Sequence, residues 1–153
     1  MFSRENKMYI YTNSIVNAVV TILGSWETFI SSGVTIEEHQ EFNTDPNRTP
    51  WIGIYSPVII FDSFRAQTIS PFMATVNIPI YTQVGDFAME FMDGGRRLNE
   101  LSAHVFTAVS CDRELMNTVE IVKSVSITPY NRSVEDSDPL FSDLITIEAE
   151  VFA

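Results

Sequence analysis

The chain has 153 residues, 45% apolar and 19% charged, the balance of a folded domain and not of a disordered chain. Nine basic residues against twenty acidic ones give a net charge of −11, which argues against a nucleic-acid binder with a basic surface and against recruitment to anionic lipid by charge. Cys111 is the one cysteine, so an intrachain disulfide and a cysteine-rich metal centre are both excluded.

The length suits one domain over residues 1–153, since a chain of this size buries roughly 68–70% of its unfolded surface without staples. The longest apolar stretch near the N-terminus, Ile15 to Leu23, is interrupted by Asn17 and Thr21. It is far shorter than the ~20 residues of a membrane span. Arg4 and Lys7 precede it with Glu5 between them, and no small-x-small cleavage site follows. The expectation is a soluble protein made in the cytoplasm, with no membrane partner.

Residues 13–31 read as a helix, with Ile15, Val16, Val19, Val20, Ile22, Leu23, Trp26, Phe29 and Ile30 on a wide apolar stripe. Asn13 or Ser14 can cap it, and Gly33 sits where a C-terminal glycine is expected. Residues 1–12 are expected to be a free arm or an extension of this helix. Val34 and Ile36 then alternate with polar neighbours as a short strand, and residues 43–50, with two prolines, form a loop.

Trp51 to Phe61 is a strand candidate interrupted at Ser56–Pro57, which marks a bulge or an edge. Phe72 to Gln83 is the clearest strand, with Val76, Ile78 and Ile80 alternating with Asn77, Pro79 and Tyr81. The two runs read as a long hairpin with its tip at residues 62–71. Phe61, Phe64, Ile69, Phe72 and Met73 give that distal part much apolar surface, which suits a partner.

A second helix is expected from about Gly85 to Val109, with Phe87, Phe91, Leu98, Leu101, Val105 and Val109 at helical spacing. Gly94–Gly95 costs about 2 kcal/mol against two alanines and predicts a kink or break. Two strands close the chain. Val119, Ile121, Val125 and Ile127 are expected on one face of the first, with Lys123 as the exception, and Phe141, Ile145, Ile147, Ala149 and Val151 on one face of the second. Residues 129–139 between them form an acidic turn. The order α-β-β-β-α-β-β predicts an α+β domain: a mainly antiparallel sheet of about five strands with two helices packed on one face.

Catalytic signals are sparse. The glycines fit neither a Walker loop nor a dinucleotide fingerprint, and no Gly-x-Ser-x-Gly elbow occurs. Glu37, His39 and Glu41 would share one face of a strand and could in principle hold a divalent metal, but a solvated strand or loop is the better reading. His104 reads as a surface or hydrogen-bonded histidine in a helix. Glu135, Asp136 and Asp138 lack the glycine and distal glutamate of a calcium loop. Asp112 beside Cys111 disfavours a reactive thiolate. No cofactor and no metal is expected. Arg96 and Arg97 are the only adjacent basic pair, and they suit either a solvated helix face or an ion pair across an interface.

The order of an apolar N-terminal helix, a strand, a Pro/Asn loop and a long hairpin ending in ATVNIPIYTQVGD, then a helix reading DFAMEFMDGGRRLNELSAHVFTAV and two closing strands, resembles the tail-terminator (tail-completion) proteins of long-tailed bacteriophages. The glycine pair inside the second helix and the long segment before Asn13 depart from that pattern. The resemblance implies a non-enzymatic structural protein of the virion. Its members form a hexameric ring at the head-proximal end of the tail, stop tube polymerisation and join the tube to the neck. It implies homo-oligomerisation, tail-tube and neck or head-closure partners, a place at the tail–neck junction, and DNA passing without specific binding. Phe64, Arg65, Ile69 and Phe72 of the hairpin, with Arg96 and Arg97 of the helix, are the expected contact residues. Three other readings stand beside it. One is another head–tail joining protein. The second is a small α+β enzyme or ligand-binding domain, whose pocket would lie between sheet and helices with polar groups such as His104 and a carboxylate converging on it. The third is a small antiparallel-sheet protein that simply dimerises.

Overall fold

The computed structural model describes residues 4–38, 48–61, 73–85, 91–131 and 140–152. In chain order they form helices α1 (Arg4–Gly24) and α2 (Glu27–Ser32), strands β1 (Thr35–Glu38), β2 (Trp51–Ile54), β3 (Val58–Phe61) and β4 (Met73–Gly85), helix α3 (Phe91–Ser110), and strands β5 (Ile121–Asn131) and β6 (Leu140–Phe152). The six strands make one sheet in the order β1-β2-β4-β6-β5, with β3 also paired to β4. The architecture is α+β, and every strand pair is antiparallel except β1 with β2. That parallel pair is joined through residues 39–50, a link long enough for the crossover parallel strands require.

All 13 residues of β4 pair with all 13 of β6. Directly opposed residues share a face, so Ala74, Val76, Ile78 and Ile80 of β4 stand beside Val151, Ala149, Ile147 and Ile145 of β6. These eight are buried and join Ile52 and Ile54 of β2, Ile15, Val16, Val19 and Leu23 of α1, and Leu98, Val105 and Val109 of α3 in one core. The helices therefore cover one face of the sheet. β4 and β5 both run antiparallel to β6, so α3 is the crossover of two parallel strands with β6 between them.

Pro79 stands in the middle of β4, where it can make no ladder bond of its own. The Pro79 carbonyl accepts from Tyr55 N–H at 3.0 Å, so its missing donor falls on the β2/β3 side. There β2 ends opposite Ile80 and β3 begins opposite Asn77. The run expected as one interrupted strand is thus two short strands on one edge of β4, and the step at Tyr55–Pro57 coincides with the place where β4 has no N–H to offer.

Three expectations need correction. The first helix does not run unbroken to residue 31: it ends at Gly24 and a separate α2 follows. Ser25 Oγ sits 2.8 Å from Thr21 O and 3.1 Å from Ile22 O, so its hydroxyl competes for the carbonyls of the last turn. Trp26 is then extended (φ −71°, ψ 117°), while Gly33 ends α2 in the left-handed conformation at φ 66°. Helix α3 runs through Gly94–Gly95 without a break. Its buried Leu98, Leu101, Val105, Ala108 and Val109 outweigh the propensity cost of the pair. In β5 a register shift at Lys123 resets the alternation. Val122 faces the core and Ile121 turns outward, 38% exposed.

Two features fix the packing. On the sheet face away from the helices, the fully buried Trp51 lies over Gly53, where a Cβ would stand 2.1 Å from the indole Cη2. Under α3, Ser102 Oγ donates to Asp143 Oδ2 at 2.8 Å and lies 2.8 Å from Thr82 Oγ1. With the Ser102 proton committed to the carboxylate, Thr82 is the donor of the second bond. Asp143 and Thr82 are fully buried and Ser102 is nearly so.

Gly53→Ala is expected to destabilise by about 1–3 kcal/mol through overpacking, whereas Gly24→Ala, whose Cβ meets nothing within 4 Å, should be neutral or stabilising. Urea unfolding of both variants checks this, and equal midpoints would contradict it. Ser102→Ala removes a donor from a buried carboxylate and should cost about 1–3 kcal/mol. A double-mutant cycle with Thr82→Val should show non-additivity, because Thr82 then has no hydroxyl oxygen to donate to.

Candidate functional site

A cleft of about 510 Å³ opens between α2, α3, the end of β4 and the segment before β2. Its apolar wall includes Phe29, Val84 and Leu101, and Arg97, Glu100 and His104 bring charge and hydrogen-bonding capacity to it. These three come from α3 at spacings of three and four residues, which places them on one helical face. The orientation of α3 puts them there. Ser102, Val105 and Val109 turn toward the sheet, leaving the neighbouring stripe to face α2.

Each side of the cleft is pinned. The Gly85 amide donates to Thr49 Oγ1 at 3.0 Å, and the Gly85 carbonyl accepts from the Arg97 guanidinium. One residue at the end of β4 is thus held from both sides. The Thr49–Pro50 peptide is cis, and the Pro50 carbonyl accepts from Thr35 N–H at 2.9 Å. Glu37 of β1 adds to the same corner by pairing with Arg48 and accepting from Trp51 Nε1 at 3.3 Å. On the helical side, Trp26 Nε1 donates to His104 Nδ1 at 3.4 Å, and the Phe29 ring meets the imidazole edge-on at 6.1 Å. With Nδ1 accepting, the neutral ring carries its proton on Nε2.

A second surface lies on the open face of the sheet. Tyr55, Tyr81 and Tyr130 form two edge-to-face contacts, with centroids 4.9 and 5.1 Å apart, the geometry that aromatic quadrupoles favour. Val58, Ile60 and Tyr130 are more than half exposed. Further along this face Lys123 pairs with Glu150 at 2.6 Å, and Ser124 Oγ lies 3.5 Å from Glu148 Oε2. Burial from water, and then the Tyr130 phenol beside it, push the Tyr81 hydroxyl above the ordinary tyrosine value of 10.0.

The residues expected from sequence divide sharply. Phe64, Arg65, Ile69 and Phe72, and the whole expected tip at 62–71, lie outside the described residues, as does His39. Arg96 is exposed on α3 and makes no ion pair among the described residues. Arg97, its neighbour, instead turns to the cleft, with its fixed contact inside the chain. The two arginines are therefore not one patch, because adjacent helical residues project about 100° apart. Sequence reasoning missed Glu100 and the role of Trp26 and Phe29 at the cleft. The signal was present in the spacing of Arg97, Glu100 and His104, beside the inward-facing Leu98, Leu101 and Val105. Among the described residues no group of three His, Cys, Asp or Glu could hold a metal ion, and no described helix is long and apolar enough to cross a membrane. Compared with known proteins, the chain matches no family model, and no curated protein is similar enough to count as a relative.

The raised Tyr81 value carries a sign. The fold favours the neutral phenol, so its contribution is complete below pH 10.0 and is lost as pH rises through the folded value. Wild type should therefore lose stability on alkaline titration more steeply than Tyr81→Phe, and Tyr130→Phe should bring the Tyr81 titration back toward the ordinary value. Phenolate absorbance and urea midpoints at rising pH measure both. Identical alkaline slopes for wild type and Tyr81→Phe would refute the assignment.

Proposed function

We propose that the chain is a structural virion protein without catalytic activity, which assembles as a ring at the head-proximal end of a phage tail tube and joins the tube to the neck. The sequence pattern of the tail-terminator proteins motivates this reading. The observation that carries it is the two-sided domain. One sheet face is covered by helices, and the other presents exposed Val58 and Ile60, with Glu148 and Glu150 across β4 from them, and exposed Tyr130 toward the other end of β6. Ring contacts are heterologous and need two different, complementary patches on each copy. The exposed Arg96 of α3 and the acid-bearing open face supply groups of opposite charge for such a pair. Phe64, Arg65, Ile69 and Phe72 enter the proposal on sequence grounds alone. The net charge of −11 suits a lumen through which DNA passes without sticking, by like-charge repulsion. A head-closure or other neck protein faces the same physical demands and is separated from a terminator by its position in the particle.

A second reading, a small ligand-binding domain, is favoured by one specific observation. The cleft between sheet and helices brings His104 together with the carboxylate-bearing Glu100 and the cationic Arg97, the convergence of polar groups on an apolar wall that marks small-molecule sites.

The ring reading is tested by imaging whole particles with a labelled copy of the chain, with one ring at the tail–neck junction as the expected result. Arg96→Glu should keep the wild-type thermal midpoint, since Arg96 is exposed, and should lower ring occupancy at least tenfold, while Arg96→Lys retains it. Location elsewhere in the particle would overturn the function. Full assembly of Arg96→Glu would overturn the contact.

A further inference from the structure

We propose that the cleft beside α3 is a binding site for a peptide-like monocarboxylate: an apolar body with a carboxylate at one end and a carbonyl acceptor at the other. The proposal rests on the cleft alone and stands or falls separately from the ring.

Arg97 carries the first part of the argument. It lines the cleft, and its one contact among the described residues is with the neutral Gly85 carbonyl. Among the described residues no carboxylate stands within ion-pair distance of it, although acids outnumber bases twenty to nine in the chain. A guanidinium has five N–H donors in a planar fork, and the Gly85 contact fixes its position while leaving others to give. A carboxylate fits that fork in a bidentate way.

His104 carries the second. Its Nδ1 is taken by Trp26, so the hydrogen bond it has left to give is Nε2–H. A neutral imidazole N–H suits a carbonyl oxygen. Arg97 and His104 are two helical turns apart, about 10 Å along the axis at 1.5 Å per residue. A single small anion does not span that distance, whereas an acylated dipeptide does. Leu101 and Phe29 lie on the wall of the same cleft and provide apolar surface for the body of such a ligand. Glu100, between the two donors in sequence, repels a second negative charge and can accept an amide N–H, which selects a monoanion with peptide character. The volume of about 510 Å³ falls in the range of small-ligand pockets.

Such a carboxylate can be a free molecule or the end of a second copy of the chain, and the test separates the two. The probe is N-acetyl-dileucine, titrated into the full chain and followed by backbone amide NMR, with its C-terminal amide as a control that removes only the charge. Saturable shifts are expected at Val84, Gly85, Arg97 and Leu101, with affinity for the acid at least tenfold above that for the amide. Arg97→Gln should weaken binding of the acid at least tenfold and Arg96→Gln should leave it unchanged. If the same amides also shift with protein concentration alone, and N-acetyl-dileucine reverses that shift, the natural carboxylate is borne by a second copy. If they do not, it is a free ligand. Equal affinity for acid and amide, or no saturable shift, overturns the proposal, and this comparison uses the wild-type chain and so does not depend on the folding of any variant.

Discussion

The β4–β6 ladder is the interaction on which the rest of the structure depends. Its full pairing of two long strands, Met73 with Phe152 through Gly85 with Leu140, sets which residues of both strands face the helices. A shift by one residue would turn Ala74, Val76, Ile78 and Ile80 to the open face and bring Thr75, Asn77 and Tyr81 into the core. The register is over-determined. Apolar partners match along its length, and where they are interrupted, Thr82 stands opposite Asp143 and both meet Ser102 of α3. A slip would leave that carboxylate buried without its serine donor, a penalty no gain in apolar contact repairs. The proline in β4 fits the same frame, because its missing donor faces the break between β2 and β3.

The polar trio does more than satisfy Asp143. It fixes the rotation of α3 about its own axis. An apolar helix face alone tolerates sliding and small rotations, since dispersion contacts are individually weak and non-directional. A hydroxyl that must lie 2.8 Å from both a carboxylate oxygen and a threonine hydroxyl does not. Once Ser102 is inward, the positions of Arg97, Glu100 and His104 follow from helical geometry. Trp26 and Phe29 meet His104 from the other side, so the break after α1 is also part of the arrangement. An unbroken helix through residue 31 would not carry Phe29 along the direction α2 takes.

Much of this fold is legible in the sequence, and the failures have physical causes. The alternation of Val76, Ile78 and Ile80, and of Ile145, Ile147 and Ala149, is strict because along these stretches both strands are central and pack their apolar side against the helices. The apolar spacing of α3 is as clear. The departures come from competition between local and tertiary terms. Gly94–Gly95 is unfavourable locally, but the packed turns that follow decide the matter. Ser25 is unremarkable in composition and ends a helix through its hydroxyl. The bulge at Lys123 inverts a periodicity that looks regular on paper, because Ile121 and Val125 are an even number of residues apart on opposite sides of an inserted residue. At the site, adjacency in sequence pairs Arg97 with Arg96, whereas the helix separates them and groups Arg97 with Glu100 and His104.

The two arginines also show why the strongly acidic balance matters more locally than globally. In a chain with so few cations, the surroundings of each described one stand out. Arg48 holds Glu37 at the β1–β2 corner, and Lys123 holds Glu150 across the β5–β6 pair. These surface pairs contribute little stability. Arg97 is tied to a backbone carbonyl, which anchors its position without neutralising its charge. Gly85, in turn, is tied through its amide to Thr49. Strand end, helix and the segment before β2 thus meet at one residue, and the cation at that meeting point is held in place before any ligand arrives. A charge so positioned has already lost the side-chain freedom that binding would otherwise cost. The same residue placed on the outer face of α3, as Arg96 is, keeps that freedom and is suited to a partner large enough to supply its own constraint.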